Sequence, residues 1–292
     1  MSPRRRARDQ CGRADRKRGE QRRTPLPSGT SGPDRTLRTV TTLTPPHVED
    51  DFASVLRLAR AEVATGGAAR LDVAALASHA GYSPFHFTRI FTAHLGIGPG
   101  QYLTALRIDE AKRMLLAGDD AVIDVAAAVG FESLSSFSRR FRSTVGVTPG
   151  QLRRLAHHVA DRPPRPFTLL RPHHGTVRVR LVLPEEVQRR GDASVWVGWY
   201  PQPAPIGLPL SGVLVSGVSR LALPLCEAAP FLLGFAVPAH ADPLEVLVPS
   251  RPLAAVHPAP LTTPGEVTLE FSAGEPALRP PLLSALPSLR RS

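Results

Sequence analysis

The sequence predicts a multidomain chain: an all-α tandem helix-turn-helix domain, then a small all-β domain of sandwich or barrel type, with a disordered basic arm ahead of both. Three observations predict it. Apolar residues recur at three- and four-residue spacing from Val48 to about His158. That stretch repeats itself at a shift of about 50 residues. Beyond Asp161 the chain changes to short β-favouring runs separated by proline, glycine and aspartate.

Charge separates the arm from the rest. The chain of 292 residues carries +11, but residues 1–40 hold 12 Lys and Arg against 4 Asp and Glu and so supply +8 of it. Residues 41–158 and 159–292 carry only +1 and +2. With almost no large apolar residue before Leu37, the arm buries too little surface to offset ordering entropy. A solvated tail is favoured there over an arm that grips phosphates.

The domain boundaries that follow are 1–46 for the arm, 47–158 for the helical domain, 159–175 for a linker, 176–274 for the all-β domain and 275–292 for a Pro-rich tail. In the β region the candidate strands are TVRVRLVL from Thr176, SVWVGWY from Ser194, GVLVSGV from Gly212, FLLGFAV from Phe231, LEVLV from Leu244 and EVTLEF from Glu266.

The repeat is the most informative feature. FTRIFTAHLGIGPGQY from Phe87 aligns with FSRRFRSTVGVTPGQL from Phe137, and upstream VAALASHAGYS from Val73 aligns with VIDVAAAVGFE from Val122. Each copy reads as a helix, a tight turn and a second helix. Gly81 and Gly130 stand where the first helix must stop, a place that favours left-handed backbone. Ser83 in one copy, and Glu132 or Ser133 in the other, supply the oxygen that caps the next helix.

Phe87 with Phe91, and Phe137 with Phe141, are four apart and share one inward face. The opposite faces then carry Phe85, His86, Thr88 and Arg89 in one copy, and Ser135, Ser136, Arg139 and Arg140 in the other. Hydroxyls beside arginine on a rigid helix suit base edges and phosphates in a major groove. A plain helical bundle has no need to repeat the same turn and the same Phe-x-Arg-x-Phe helix in register. Between the copies, a helix opening near Pro99 and closing at Gly118 has Leu103, Leu106, Ala111, Met114 and Leu115 on its inner side. Its length of about 28 Å approaches the ~34 Å between major-groove faces one turn apart.

The Arg107, Ala111 and Leu115 pattern, GFESLSSFSRRF from Gly130 and GVTPGQLR from Gly146 resemble the AraC/XylS family of bacterial transcription regulators, over about 110 residues. The resemblance implies a seven-helix domain that places two recognition helices in successive major grooves. By position, it implies base reading by Phe85, His86, Thr88 and Arg89, and by Leu134, Ser135, Ser136 and Arg139. Two positions depart from the family. A polar residue, often Gln, is usual where Leu134 stands, and an aromatic where Leu152 stands. Leu134 touches a thymine methyl at best and donates no hydrogen bond. The regulatory domain of the family usually precedes the DNA-binding domain; here the β region follows it.

The expected function is sequence-specific binding of promoter or operator DNA, as activator or repressor, with RNA polymerase and a small-molecule effector as further partners. Trp196, Trp199 and Tyr200 are the effector candidates; strand alternation sends the two indoles to opposite faces, one into the core and one to a pocket or rim. Two other readings stand beside it. One is a DNA-alkylation repair protein using Cys226, against which the Pro-Cys-His-Arg motif is absent and Glu227 follows the thiol. The other is an effector-binding module with weak DNA binding.

No enzyme, cofactor or metal is expected. His157 with His158 and His173 with His174 are adjacent pairs, which seldom ligate one ion. The chain has two cysteines, far apart, and no run of 18 apolar residues, so the expected location is the cytoplasm, away from the membrane.

Overall fold

Seven helices precede eight strands among the described residues. The computed structural model describes residues 46–67, 71–161, 165–170, 175–239, 241–250, 252–275 and 278–289, which lie in one compact unit, Thr44–Ser292. Apart from Pro46, the expected basic arm lies outside them, as do His173 and His174.

The helices are α1 (Pro46–Ala64), α2 (Val73–His79), α3 (Pro84–Leu95), α4 (Pro99–Ala117), α5 (Val122–Ala128), α6 (Leu134–Val145) and α7 (Pro149–Asp161). Their ends follow the local chemistry read from the sequence. Asp72 Oδ1 accepts from the Ala75 amide at 2.7 Å, and Ser83 and Ser133 Oγ accept from the His86 and Ser136 amides, each at 3.3 Å. Of the two capping candidates in the second copy, Ser133 therefore caps. Gly81 and Gly130 sit in the turns at φ of +71° and +81°. The repeated Gln has a capping role as well: Gln101 Oε1 accepts from the Gly98 amide at 3.1 Å and Gln151 Oε1 from the Thr148 amide at 2.9 Å.

Phenylalanines fill the helical core in two clusters. Phe91 lies 5.1, 5.4 and 5.4 Å from the rings of Phe52, Phe87 and Tyr102, and Phe137 lies 5.2 and 5.5 Å from Phe131 and Phe141. Helix α4, 19 residues long, runs between them. Its expected inner residues Leu103, Leu106, Ala111 and Leu115 are buried, with Met114 half-buried. The far side is covered too, down to Asp109 and Lys112.

The β region is a sandwich of two sheets. Strands β1 (Phe167–Leu169), β4 (Ser211–Ser216), β3 (Ser194–Tyr200), β6 (Phe231–Val237) and β7 (Leu253–Val256) form an antiparallel sheet in that order. The second sheet has the order β5 (Arg220–Pro224), β2 (Thr176–Val182), β8 (Gly265–Glu270), with β2 and β8 parallel. A single helical turn, α8 (Glu185–Gln188), follows β2. On β2, Val177, Val179 and Leu181 point inward and the residues between them outward, meeting Val195, Val197 and Trp199 of β3 in the core.

Five of the six candidate runs are strands. The sixth, LEVLV, is a 3-10 turn at Pro243–Val246, in which Asp242 Oδ1 accepts from the Leu244 amide at 2.8 Å and Val246 and Leu247 pack into the helical core. A proline in the first position behind an Asx cap favours a tight turn over an extended ladder. Three strands escaped the pattern: β1 has three residues within the stretch read as linker, β5 ends in Pro224, and β7 is the four-residue run LAAV. Beyond the sandwich, the proline-rich segment does not trail away. Leu282, Leu283, Ala285 and Leu286 are buried, Leu283 and Ala285 in the helical core.

Candidate nucleic-acid interface

Helices α3 and α6 occupy equivalent places in the repeat and bury equivalent faces. Phe87 and Phe91 are 2% and 0% exposed, and Phe137 and Phe141 both 0%. Pointing away from those pairs, Phe85, Thr88 and Arg89 are exposed and His86 is half-buried, its ring 5.2 Å from that of Tyr82. On α6, Leu134, Ser135, Ser136, Arg139 and Arg140 are all exposed. Phe85 at 84% and Leu134 at 41% are large apolar side chains offered to solvent at the first turns of their helices. Thr88 donates its hydroxyl to the Pro84 carbonyl at 2.7 Å and keeps its oxygen available as an acceptor. Among the described residues no carboxylate pairs with Arg89, Arg139 or Arg140.

Two arginines behind these faces hold the pairs in place. Arg107, halfway along α4, donates to the Leu71 carbonyl just before α2 at 3.0 Å and to the Gly130 carbonyl in the α5–α6 turn at 3.4 Å. One guanidinium thus touches backbone belonging to both helix pairs, and its partial burial lowers its pKa. Arg153 of α7 donates to the Leu115 and Gly118 carbonyls at 3.1 and 3.2 Å and also to that of Asp120. It closes the end of α4, whose last carbonyls have no partner within the helix. Both arginines belong to the motifs already quoted, but motif position does not say that a side chain reaches backbone more than 20 residues away.

Trp196, Trp199 and Tyr200 are fully buried. The indoles do take opposite faces of β3: Trp199 lies in the sandwich core, while Trp196 and Tyr200 pack with Leu282 and Leu286 on the other side. Neither ring borders an open surface. Burial pushes the Tyr200 hydroxyl pKa up. Cys226 is buried in the sandwich core.

Residues 76–155 match the family model of a helix-turn-helix domain. That match holds both exposed helices and their turns, together with the Arg107, Ala111 and Leu115 pattern of α4. The matched residues of the helical region form a helix-turn-helix domain of AraC type.

The AraC-type domain is 39% identical over 89 residues to the HTH-type transcriptional regulator Rv1931c of Mycobacterium tuberculosis, covering 30% of this chain and 34% of that protein. It is 36% identical over 84 residues to the HTH-type transcriptional activator AarP of Providencia stuartii, covering 29% of this chain and 62% of AarP. The chain spans less than two thirds of the length of either relative. A solved structure, the DNA-binding domain of the global transcriptional factor AdpA in complex with a target DNA, is 32% identical, with 39% of this chain and 96% of that one covered and a TM-score of 0.34. Among the described residues, no helix of the chain is long and apolar enough to cross a membrane.

Proposed function

We propose that this chain is a sequence-specific DNA-binding transcription regulator that reads two successive major grooves of a promoter or operator with α3 and α6. The observation that carries the reading is the repeated helix whose phenylalanine pair is buried while its arginines and hydroxyls stay exposed. Membership of the AraC-type domain and likeness to named HTH-type regulators support it. In this reading Arg89 and Arg139 meet guanine edges, and Thr88, Ser135 and Ser136 serve bases or phosphates. His86 offers a ring nitrogen, Phe85 and Leu134 lie against thymine methyls, and Arg140 neutralises phosphate. RNA polymerase is the natural protein partner of such a regulator.

The sandwich takes the role of an effector or partner domain, with Trp196, Trp199 and Tyr200 nearest the ligand. Because all three are buried, a ligand must open packing to reach them, which a metabolite titration reads as a change in tryptophan emission. Repair chemistry at Cys226 is disfavoured by the burial of the thiol.

Gel-shift titration of the wild type, Arg89→Ala and Arg139→Ala with DNA upstream of the chain's own gene tests the reading. Each substitution is expected to cost about 1–3 kcal/mol and to relax preference at one position. Unchanged binding by both variants refutes the assignment of these faces.

A further inference from the structure

The second helix of each pair ends on the same part of the β region. Gly96 caps α3, and a Cβ there would run into the ring of Pro203, in the loop between β3 and β4. Gly146 caps α6, and a Cβ there would stand 3.2 Å from Leu208 of the same loop and 3.1 Å from Ser288. The Ala285 amide donates at 2.9 Å to the carbonyl of Val145, the last residue of α6. These C-terminal carbonyls have no partner within their own helix, so a donor from another segment fixes the helix end in position.

The loop and the C-terminal segment act together. The Leu283 amide donates to the Pro205 carbonyl at 3.1 Å, and Ala204, Ile206, Leu283 and Ala285 sit in the helical core. Between the two caps, Lys112 of α4 places its ammonium 2.8 Å from the Leu282 carbonyl. Arg57 of α1 also pairs with Glu275 at 2.7 Å. The β region therefore grips the first pair at α3, the connector at α4 and the second pair at α6.

We infer that the sandwich, through the 201–210 loop and the 278–289 segment, is a brace that fixes the spacing and angle between the two helix pairs and so restricts which separation of DNA half-sites the chain accepts. Pro203 and Leu208 are positioning residues: they touch the rear ends of α3 and α6, opposite the first turns that carry Phe85 and Leu134. The DNA part of this inference rests on the proposed reading; the mechanical part does not. A two-turn reader tied only by one helix tolerates twist between its pairs, whereas one gripped at both rear ends registers a one-base-pair change in half-site separation as strain.

The test uses the full-length chain with Cys11→Ser, spin labels at Ala93→Cys and Ser143→Cys, and a DNA site selected from a random library by the wild type. Ala93 and Ser143 are exposed and equivalent in the repeat, and Cys226 is buried. In the wild type the distance distribution between the labels is expected to be narrow, and inserting one base pair between half-sites to weaken binding about tenfold. In Pro203→Ala with Leu208→Ala the distribution is expected to widen, and the insertion penalty to fall to roughly threefold. Both side chains are half-exposed, and each single variant should show part of the widening if the double one folds poorly. An unchanged distribution in all three variants overturns the brace, as does one already broad in the wild type. A distribution that widens while the library yields no site that the wild type binds upholds the brace and sinks groove reading.

Discussion

The ammonium of Lys112 lies buried in the C-terminal half of α4, 2.8 Å from the carbonyl of Leu282, a residue 170 positions further along the chain. Asp109, one turn earlier, is engaged with Arg113 at 2.7 Å and adds a favourable charge nearby. A cation enclosed in this way costs desolvation, which a single carbonyl bond offsets only in part.

Burial pushes the Lys112 pKa from 10.5 down to about 8, against the opposing pull of Asp109. Between those two values the unfolded chain holds more protons than the folded one, so stability from this group rises with pH. It is complete above the unfolded value and lost as pH falls through the folded value. Denaturant unfolding of the wild type and Lys112→Met is expected to give a stability difference that shifts in favour of the wild type from about pH 8 to about pH 10. A difference flat across that window contradicts a lysine buried as described.

Arg107 is expected to behave as a tie between the helix pairs. Arg107→Leu keeps much of the stem but removes donors to the Leu71 and Gly130 carbonyls. A loss of about 1–3 kcal/mol is expected on thermal or chemical unfolding. Arg107→Lys should recover less than half of it, since a point charge does not span two carbonyls as a guanidinium fork does. Full rescue by lysine shows that charge alone matters.

Phe137 sits between Phe131 and Phe141 with no exposed surface. Phe137→Ala leaves a cavity in the second cluster and is expected to cost about 3–5 kcal/mol. Phe85→Ala, at the equivalent helix's exposed first turn, is expected to fall within about 0.5 kcal/mol of the wild type. Calorimetry on the two variants separates the inward from the outward face; equal losses erase the distinction.

The exposed face of α6 supports two DNA-binding outcomes. Arg140→Ala should weaken binding evenly across sequences and lower the magnitude of the salt slope by about one, as expected of a phosphate contact. Leu134→Gln adds a donor and an acceptor where the chain has an alkyl group, and selection from random DNA should return a sharper preference at one base pair. An unchanged selected site shows that residue 134 is remote from the bases.

The helical region was legible because its signals are local. The Phe87–Phe91 and Phe137–Phe141 spacings, the serine caps and the glycines in the turns each act within a few residues, and the repeat displayed every one of them twice. The β region was less so. Alternation exposed β2, where Arg178 and Arg180 face outward between buried apolar residues, but LEVLV carries the same apolar composition in a 3-10 turn, and the short strands β5 and β7 lack a pattern long enough to register. Alternation accounts for Trp196 and Trp199 lying on opposite faces of β3, yet says nothing about what covers each face.

By itself the amino-acid order determined where helices start and stop, which face of each repeated helix turns inward, and which residues are left outside. Tertiary structure alone decided that α4 is enclosed on both sides, that Lys112 is a buried cation, and that the C-terminal segment packs against the helices. The division has a physical cause. Helix periodicity and capping are settled by atoms a turn apart, whereas a contact across 170 residues forms only if burial gained at docking exceeds the entropy of closing the loop.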